Sequence, residues 1–205
     1  METDNSTTYN SILSEAKAEF LEKGYEKASL RKIVRDAGLT TGAFYGYFKN
    51  KEQLFETLVG NEYNEMISIY KEALESFFKF SPEDQMQNMI SVTYECMVKL
   101  KNYMYDNYDS VKLILCCSQG TKYDDLVHRM ANMDKEATHD FAKSVKSVSN
   151  DIKLVNPILE HILTSGMFAG FFELIVHDVP REDADEYIIQ LLDFYAAGWG
   201  KIMGF

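Results

Sequence analysis

Apolar residues recur at helical spacing along nearly the whole chain, and the alternation of period two that marks a half-buried strand is missing. Tyr9, Ile12, Leu13, Ala16 and Phe20 stand at i, i+3, i+4, i+7 and i+11, one stripe of an amphipathic helix. Gly24, after Lys23, suits a left-handed stop. Ser29 is placed to cap a second helix with the apolar face Leu30, Ile33, Val34 and Ala37, which Gly38 ends. Leu39 then plugs inward, and Thr40 caps a third short helix predicted to run to about Phe48. Asn50 with Gln53 three residues on resembles a capping box for a fourth helix.

The fourth helix carries Leu54, Phe55, Leu58, Met66, Ile69, Tyr70, Ala73, Leu74 and Phe77 toward about Phe80. A fifth, from Pro82 to about Asp106, stripes Met86, Ile90, Thr93, Met97, Leu100 and Met104. Shorter helices are expected near Val111 to Cys117 and from Tyr123 to about Val148, and two long ones over Pro157 to His177 and Pro180 to Met203. Pro82, Pro157 and Pro180 each suit a first helical position, and Ser81 and Asn156 suit the caps before two of them. The expected fold class is all-α.

Two short helices joined by a tight glycine-containing turn form a helix-turn-helix, whose second helix is free to enter a major groove. Phe44 and Phe48, four apart, share a face that with Leu39 locks this helix onto the first two. The opposite face offers Thr41, Gly42, Ala43, Tyr45 and Tyr47, all small or hydroxyl-bearing. Small residues let backbone approach base edges closely, and tyrosine hydroxyls can bond phosphate oxygens. Lys51 falls in the first turn of the fourth helix, where the dipole disfavours a cation unless a phosphate lies nearby.

Charge sharpens this picture. The 205 residues carry a formal net charge of −11, yet residues 9 to 55 hold eight Lys/Arg against six Asp/Glu, a net of +2. Residues 1 to 8 contribute −2, leaving 13 positive and 24 negative charges, net −11, on residues 56 to 205. A mildly basic head on an acidic body meets a polyanion by one face only.

The run FLEKGYEKASLRKIVRDAGLTTGAFYGYFKNKEQLF, with its glycine–aromatic pair after helix one, its A-G-L-T turn and its Y-x-Y-F-x-N-K-E-x-L exit, resembles the DNA-binding domain of the tetracycline-repressor (TetR) family. The likeness covers about Tyr9 to Phe55. It implies a helix-turn-helix DNA-binding domain over residues 1–52 and a larger helical ligand-binding and dimerisation domain over 53–205. By the same resemblance Tyr45, Tyr47 and Lys51 hold phosphates, Thr41, Gly42, Ala43 and Arg31 approach bases, and Ser29 and Thr40 stand at the same DNA-facing surface. Gly42 and Gly46 occupy positions where relatives vary, so base preference does not transfer.

Seven of the ten methionines lie between 86 and 167, beside Tyr94, Tyr103, Tyr105 and Tyr108. Methionine adapts to irregular shapes, which suits a pocket for a bulky apolar or aromatic ligand, and suits plain core filling equally. The candidate lining is Tyr70, Thr93, Tyr94, Met97, Met130, Met133, Met167 and Phe171, with the Thr93 hydroxyl free either to meet ligand or to bond its own helix backbone. GMFAGFF at 166–172 and FYAAGWG at 194–200 set small residues beside rings, as at a helix–helix interface. Ile162, Gly166, Ala169, Gly170, Leu191, Phe194, Tyr195 and Gly198 are the candidate dimer contacts, and packing within one chain could use the same residues.

The other chemistry is thin. His128, His139, His161 and His177 lack metal-ligand spacing, no nucleophile–base pattern or phosphate-binding glycine loop appears, and Cys96, Cys116 and Cys117 make no disulfide framework. No metal or cofactor is implied, and the chain does not read as an enzyme. No apolar run is expected to reach the roughly 18 residues that cross a bilayer, and the acidic start METDNSTTYN does not read as a signal peptide; a cytoplasmic protein without membrane contact is expected. The leading reading is a ligand-responsive transcriptional regulator, a repressor, that binds a near-palindromic double-stranded operator as a homodimer and is released by a small effector. The competing reading is a helical small-molecule-binding protein or enzyme whose N-terminal helices dock a protein.

Overall fold

The computed structural model describes residues 2–146, 153 and 155–204, with side chains from residue 6 onward. Among the described residues there are helices and turns and no strand. The helices are α1 (Glu2–Lys27), α2 (Leu30–Asp36), α3 (Thr41–Phe44), α4 (Lys51–Phe77), α5 (Pro82–Asp106), α6 (Tyr108–Cys117), α7 (Leu126–Val145), α8 (Pro157–Val176) and α9 (Ala184–Met203).

Chain packing makes two compact units, residues 1–64 with 107–124, and residues 65–106 with 125–205. The expected boundary falls after residue 52, whereas the packed unit also takes in the first half of α4 and the later segment 107–124. Long-range contacts that no local pattern announces draw that segment in. The Lys17 ammonium bonds Asp109 at 2.8 Å, and Lys122 reaches Glu56 at 2.5 Å. Tyr123 lies edge-on to Tyr63 (5.2 Å), and its hydroxyl donates to Glu56 at 3.1 Å. Its oxygen stands 3.0 Å from where a Cβ on Gly60 would be, so the ring fits because that position is glycine.

In this first unit the expected caps are present. The Ser29 hydroxyl accepts from the Lys32 N–H, Thr40 accepts from Ala43, and the Asn50 carboxamide oxygen accepts from Gln53 at 2.8 Å while Gln53 accepts from Lys49 at 2.7 Å. α1 is interrupted at Gly24 (φ 73°, ψ 161°), and Gly38 makes the turn between α2 and α3 at φ 72°, a region open to glycine. Ile12, Ala16, Phe20, Ile33, Val34, Phe44, Phe48, Leu54 and Phe55 form the core. α3 is shorter than expected: its helix ends at Phe44, and Gly46 and Tyr47 turn tightly, their N–H groups bonding the carbonyls of Ala43 and Phe44. A Cβ on Gly46 would press on the Ala43 carbonyl oxygen at 3.2 Å, which accounts for glycine there.

Glu19 joins α1 to the start of α2. Nearly fully buried, it accepts from the Ser29 N–H at 3.0 Å and pairs with the Lys32 ammonium at 2.7 Å. The Lys32 bond first, and the Ser29 N–H next, hold its carboxyl below the ordinary 4.5. The folded state therefore binds this proton more weakly than the unfolded chain. The stabilisation is fully present above about pH 4.5 and is lost as pH falls through the depressed value. Glu19→Gln should flatten the acid side of a plot of urea midpoint against pH, while the slope near neutrality stays as in the parent.

In the second unit, α7 lies against α8, and α5 against both α7 and α9. Ser81 caps α5 through the Asp84 N–H, and Asn156 caps α8 through Ile158 and Leu159. Pro180 does not begin α9: the Asp183 N–H closes a turn on the Pro180 carbonyl, and the helix starts at Ala184. α4 ends at Phe77 in a turn through Phe80. Val148, expected to end α7, lies outside the described residues. The expectation that no helix is long and apolar enough to span a bilayer is overturned by α8, which passes by length and composition. Its apolarity serves two faces, one burying Met167, Phe168, Phe171, Phe172, Leu174 and Ile175 in this unit and one exposing Ile158, Leu159 and Ile162.

Candidate functional site

On the helix-turn-helix, the surface of α3 is formed by Thr41, Gly42 and Ala43, all exposed. Tyr45, 56 % exposed, is braced edge-on by buried Phe44 at 5.5 Å. Tyr47 is half-buried with its ring 6.4 Å from Tyr9. Arg31 is exposed in the first turn of α2. Ser29 and Thr40 are exposed as well, each with its oxygen accepting a cap bond and its O–H still able to donate.

Lys51 is placed differently from the expectation of a phosphate contact. Its ammonium turns back on the end of α1 and donates to the carbonyls of Tyr25 (2.7 Å), Glu26 (3.2 Å) and Ala28 (3.3 Å), 4.5 Å from the Tyr25 ring centroid. Burial holds its pKa below the ordinary 10.5, with Glu26 opposing. Three donors on three carbonyls leave this group a strut between α4 and α1. Lys49, two residues earlier, is exposed.

The second unit holds a cavity of about 170 Å³, partly open to solvent, between α4, α5, α7, α8 and α9, on the scale of apolar cavities of about 150 Å³ that admit benzene. Of the eight candidate residues, Tyr70, Thr93, Met97 and Met167 line it. The other four candidates do not. Met130 and Phe171 are buried in the core, Met133 is half-buried and Tyr94 is 37 % exposed, none of them on the cavity wall. Thr93 spends its hydroxyl on the Met89 carbonyl at 2.9 Å. Sequence reasoning missed Phe141, Trp199 and Asp134, which also line the cavity. Asp134 and Phe141 sit seven apart on α7, a helical face, but an aspartate in a charged run carries no sign of facing inward.

Asp134 is the polar end of this cavity. Its Oδ1 accepts from the Tyr70 hydroxyl and its Oδ2 from the Thr164 hydroxyl at 3.2 Å. Burial raises its pKa above the ordinary 3.8, with the two donors pulling the other way. Burial likewise pushes the Cys96 thiol on the wall up to about 12, so that thiol is inert. Cys117 is buried and Cys116 exposed.

The eight candidate dimer residues divide. A Cβ on Gly166 would stand 3.0 Å from the Tyr195 hydroxyl oxygen, and one on Gly170 would stand 3.3 Å from Leu191. The Tyr187 hydroxyl donates to the Gly170 carbonyl at 2.6 Å. These four candidates therefore serve close packing of α8 on α9 within the chain, and Tyr195 also lines the cavity. Ile162, Ala169, Phe194 and Gly198 are exposed, alongside Ile158 at 71 % and Ile189 at 44 %.

The helix-turn-helix thus has an exposed small-residue face, and the second helical unit holds an apolar cavity. Residues 12–58 match the family described as bacterial regulatory proteins, tetR family. The chain is similar to that family over this N-terminal stretch. It is 48 % identical over 48 residues to the Transposon Tn10 TetC protein of Escherichia coli, covering 23 % of this chain and 24 % of that protein. It is 33 % identical over 76 residues to the Fatty acid metabolism regulator protein of Bacillus subtilis, covering 37 % and 34 %. These matches thus span about a quarter to a third of the relatives' lengths. Over nearly the whole chain the fold is similar to the crystal structure of NalD of Pseudomonas aeruginosa, the secondary repressor of the MexAB-OprM multidrug efflux pump (TM-score 0.55, 20 % identity, 96 % of this chain and 97 % of that one). PfmR of Thermus thermophilus, a TetR family transcriptional regulator, is similar too (TM-score 0.58, 19 % identity, 89 % and 97 %).

Proposed function

We propose that the protein is a cytoplasmic ligand-responsive transcriptional repressor that binds a near-palindromic operator as a homodimer and releases it when a small apolar or aromatic effector enters the cavity of the second unit. The observation that carries this reading is the exposed Thr41–Gly42–Ala43 face with Tyr45, set on a packed helix-turn-helix inside the segment that matches the family. Tyr45, Tyr47 and Lys49 contact phosphates, Arg31 and α3 meet base edges, and Ser29 and Thr40 add hydroxyl donors at the rim. Lys51 supports this surface from behind. α4 holds core residues of the first unit near its start and Tyr70, Ala73, Leu74 and Phe77 on the cavity wall near its end, so one helix can carry the signal. Release requires that the effector bind the DNA-free arrangement more tightly than the DNA-bound one.

Ile158, Ile162 and Phe194 form the centre of the dimer contact, which brings two helix-turn-helix units to successive half-sites. Phe194→Glu should weaken dimerisation at least about thirtyfold, the effect of losing about 2 kcal/mol at an aromatic hot spot. Sedimentation velocity across a dilution series reads this directly, and an unchanged dimer would move the interface elsewhere. The function itself is tested by selecting genomic fragments with the purified chain and measuring affinity for the winners against salt. A steep negative slope marks phosphate contacts. No enriched fragment, or a flat slope, would favour docking of a protein at the N-terminal helices.

A further inference from the structure

We propose that the cavity takes an aromatic or aliphatic amine, whose ammonium pairs with Asp134 while its apolar body fills the space between α4, α5, α7 and α9. This rests on the reading of the cavity as the effector site and narrows the effector's chemistry. The walls are apolar and aromatic, with Phe77, Phe141, Tyr195 and Trp199 among them. Asp134 stands among them with two hydroxyl donors, from Tyr70 and Thr164. Among the described residues no cationic group pairs with it.

A carboxylate taken out of water is costly unless a charge and hydrogen bonds replace the solvent. Two hydroxyls supply bonds and no charge. Each carboxylate oxygen can accept a second hydrogen bond, so an ammonium can add to the pair without displacing either hydroxyl. A second acid stands near Asp134, with Lys135 and His139 as its own cationic neighbours. Glu160, one turn before Thr164 on α8, is 8 % exposed, and its Oε1 has no hydrogen-bond partner. A neutral ligand leaves the Asp134 charge unbalanced, and an anionic one is repelled by it. The aromatic walls also favour a cation over their ring faces.

Trp199 is the single tryptophan of the chain and lies on the cavity wall, so its fluorescence reports occupancy. The probes are phenylbutylamine, phenylbutanol and phenylbutyrate, titrated at neutral pH into the full-length protein with and without selected operator DNA. The amine should bind at least tenfold more tightly than the alcohol, with the carboxylate weakest. Asp134→Asn should erase the gap between amine and alcohol while alcohol affinity stays within about twofold. Equal binding of amine and alcohol to the parent protein overturns the proposal, as does a gap that survives in the variant. If Asp134→Asn does not fold, the order of the three probes on the parent protein decides alone. Alcohol binding that releases DNA, with no advantage for the amine, leaves the regulatory reading standing and removes this one. Fluorescence unmoved by all three probes removes both.

Discussion

Gly42→Glu should abolish operator binding, with affinity falling at least about a hundredfold, while the folded domain remains as stable as the parent. Position 42 is exposed in the only turn of α3. A Cβ built there meets nothing closer than the Thr40 hydroxyl at 4.0 Å, so the new side chain projects outward without strain. Glutamate also forms helix more readily than glycine, by about 0.5 kcal/mol or more. Stability should therefore hold or rise slightly. The same carboxylate, set in the face that approaches DNA, meets phosphates of like sign at a cost of several kcal/mol, which is a hundredfold or more. Gly42→Gln separates charge from bulk, because it fills nearly the same volume without the charge. It should retain more affinity than the glutamate variant and shift base preference. Urea midpoints and fluorescence anisotropy on a selected fragment give the two readings. Operator affinity within twofold of the parent for Gly42→Glu would show that α3 faces away from the duplex.

What the chain makes legible and what it hides follow from the range of the interactions. Caps depend on residues three apart, and Ser29, Thr40, Asn50, Ser81 and Asn156 all stand where their spacing places them. The buried faces of α1, α2 and α4 follow from periodicity in the same way. The end of α3 is less visible. Phe44 and Phe48 are four apart and both buried, as in a continuing helix, and the Phe48 N–H even bonds the Phe44 carbonyl. The intervening turn tightens only through Gly46, whose reason is a contact with a backbone oxygen. Pairings distant in sequence are not legible at all. Asp134 meets Tyr70 and Thr164 from two other helices, and nothing in the run around it sets it apart from a solvated acid. The methionine-rich composition suggests a cavity without locating it: Met97 and Met167 line it, while Met130 only fills the core. Small residues in α8 and α9 signal close approach without naming the neighbour. Gly166 and Gly170 find it within their own chain, in Tyr195 and Leu191.

Lys51 tests this contrast between local pattern and distant pairing, because its position at the start of α4 suggests a phosphate contact and its geometry suggests a strut. Lys51→Met keeps most of the side-chain stem and removes the charge. It should lower folding stability by about 2–3 kcal/mol, the worth of charge-assisted hydrogen bonds whose acceptors are then left partly unsatisfied. The Tyr25 and Ala28 carbonyls are partly buried, so water replaces the ammonium there incompletely, whereas the Glu26 carbonyl is exposed and recovers solvent. The ring of Tyr25 loses its cation at the same time. Operator affinity, measured where the variant is still folded, should keep the parent's salt dependence, since no counterion is released on account of this group. A phosphate contact would instead lower the slope of log K against log salt by about 0.9. The two roles therefore separate cleanly: an unaltered urea midpoint with a reduced salt slope returns Lys51 to the DNA face, and a lowered midpoint with the slope intact fixes it as the tie between α4 and the end of α1. Lys49 supplies the complementary arm, because Lys49→Met should reduce the slope by about that amount and leave the urea midpoint where it was.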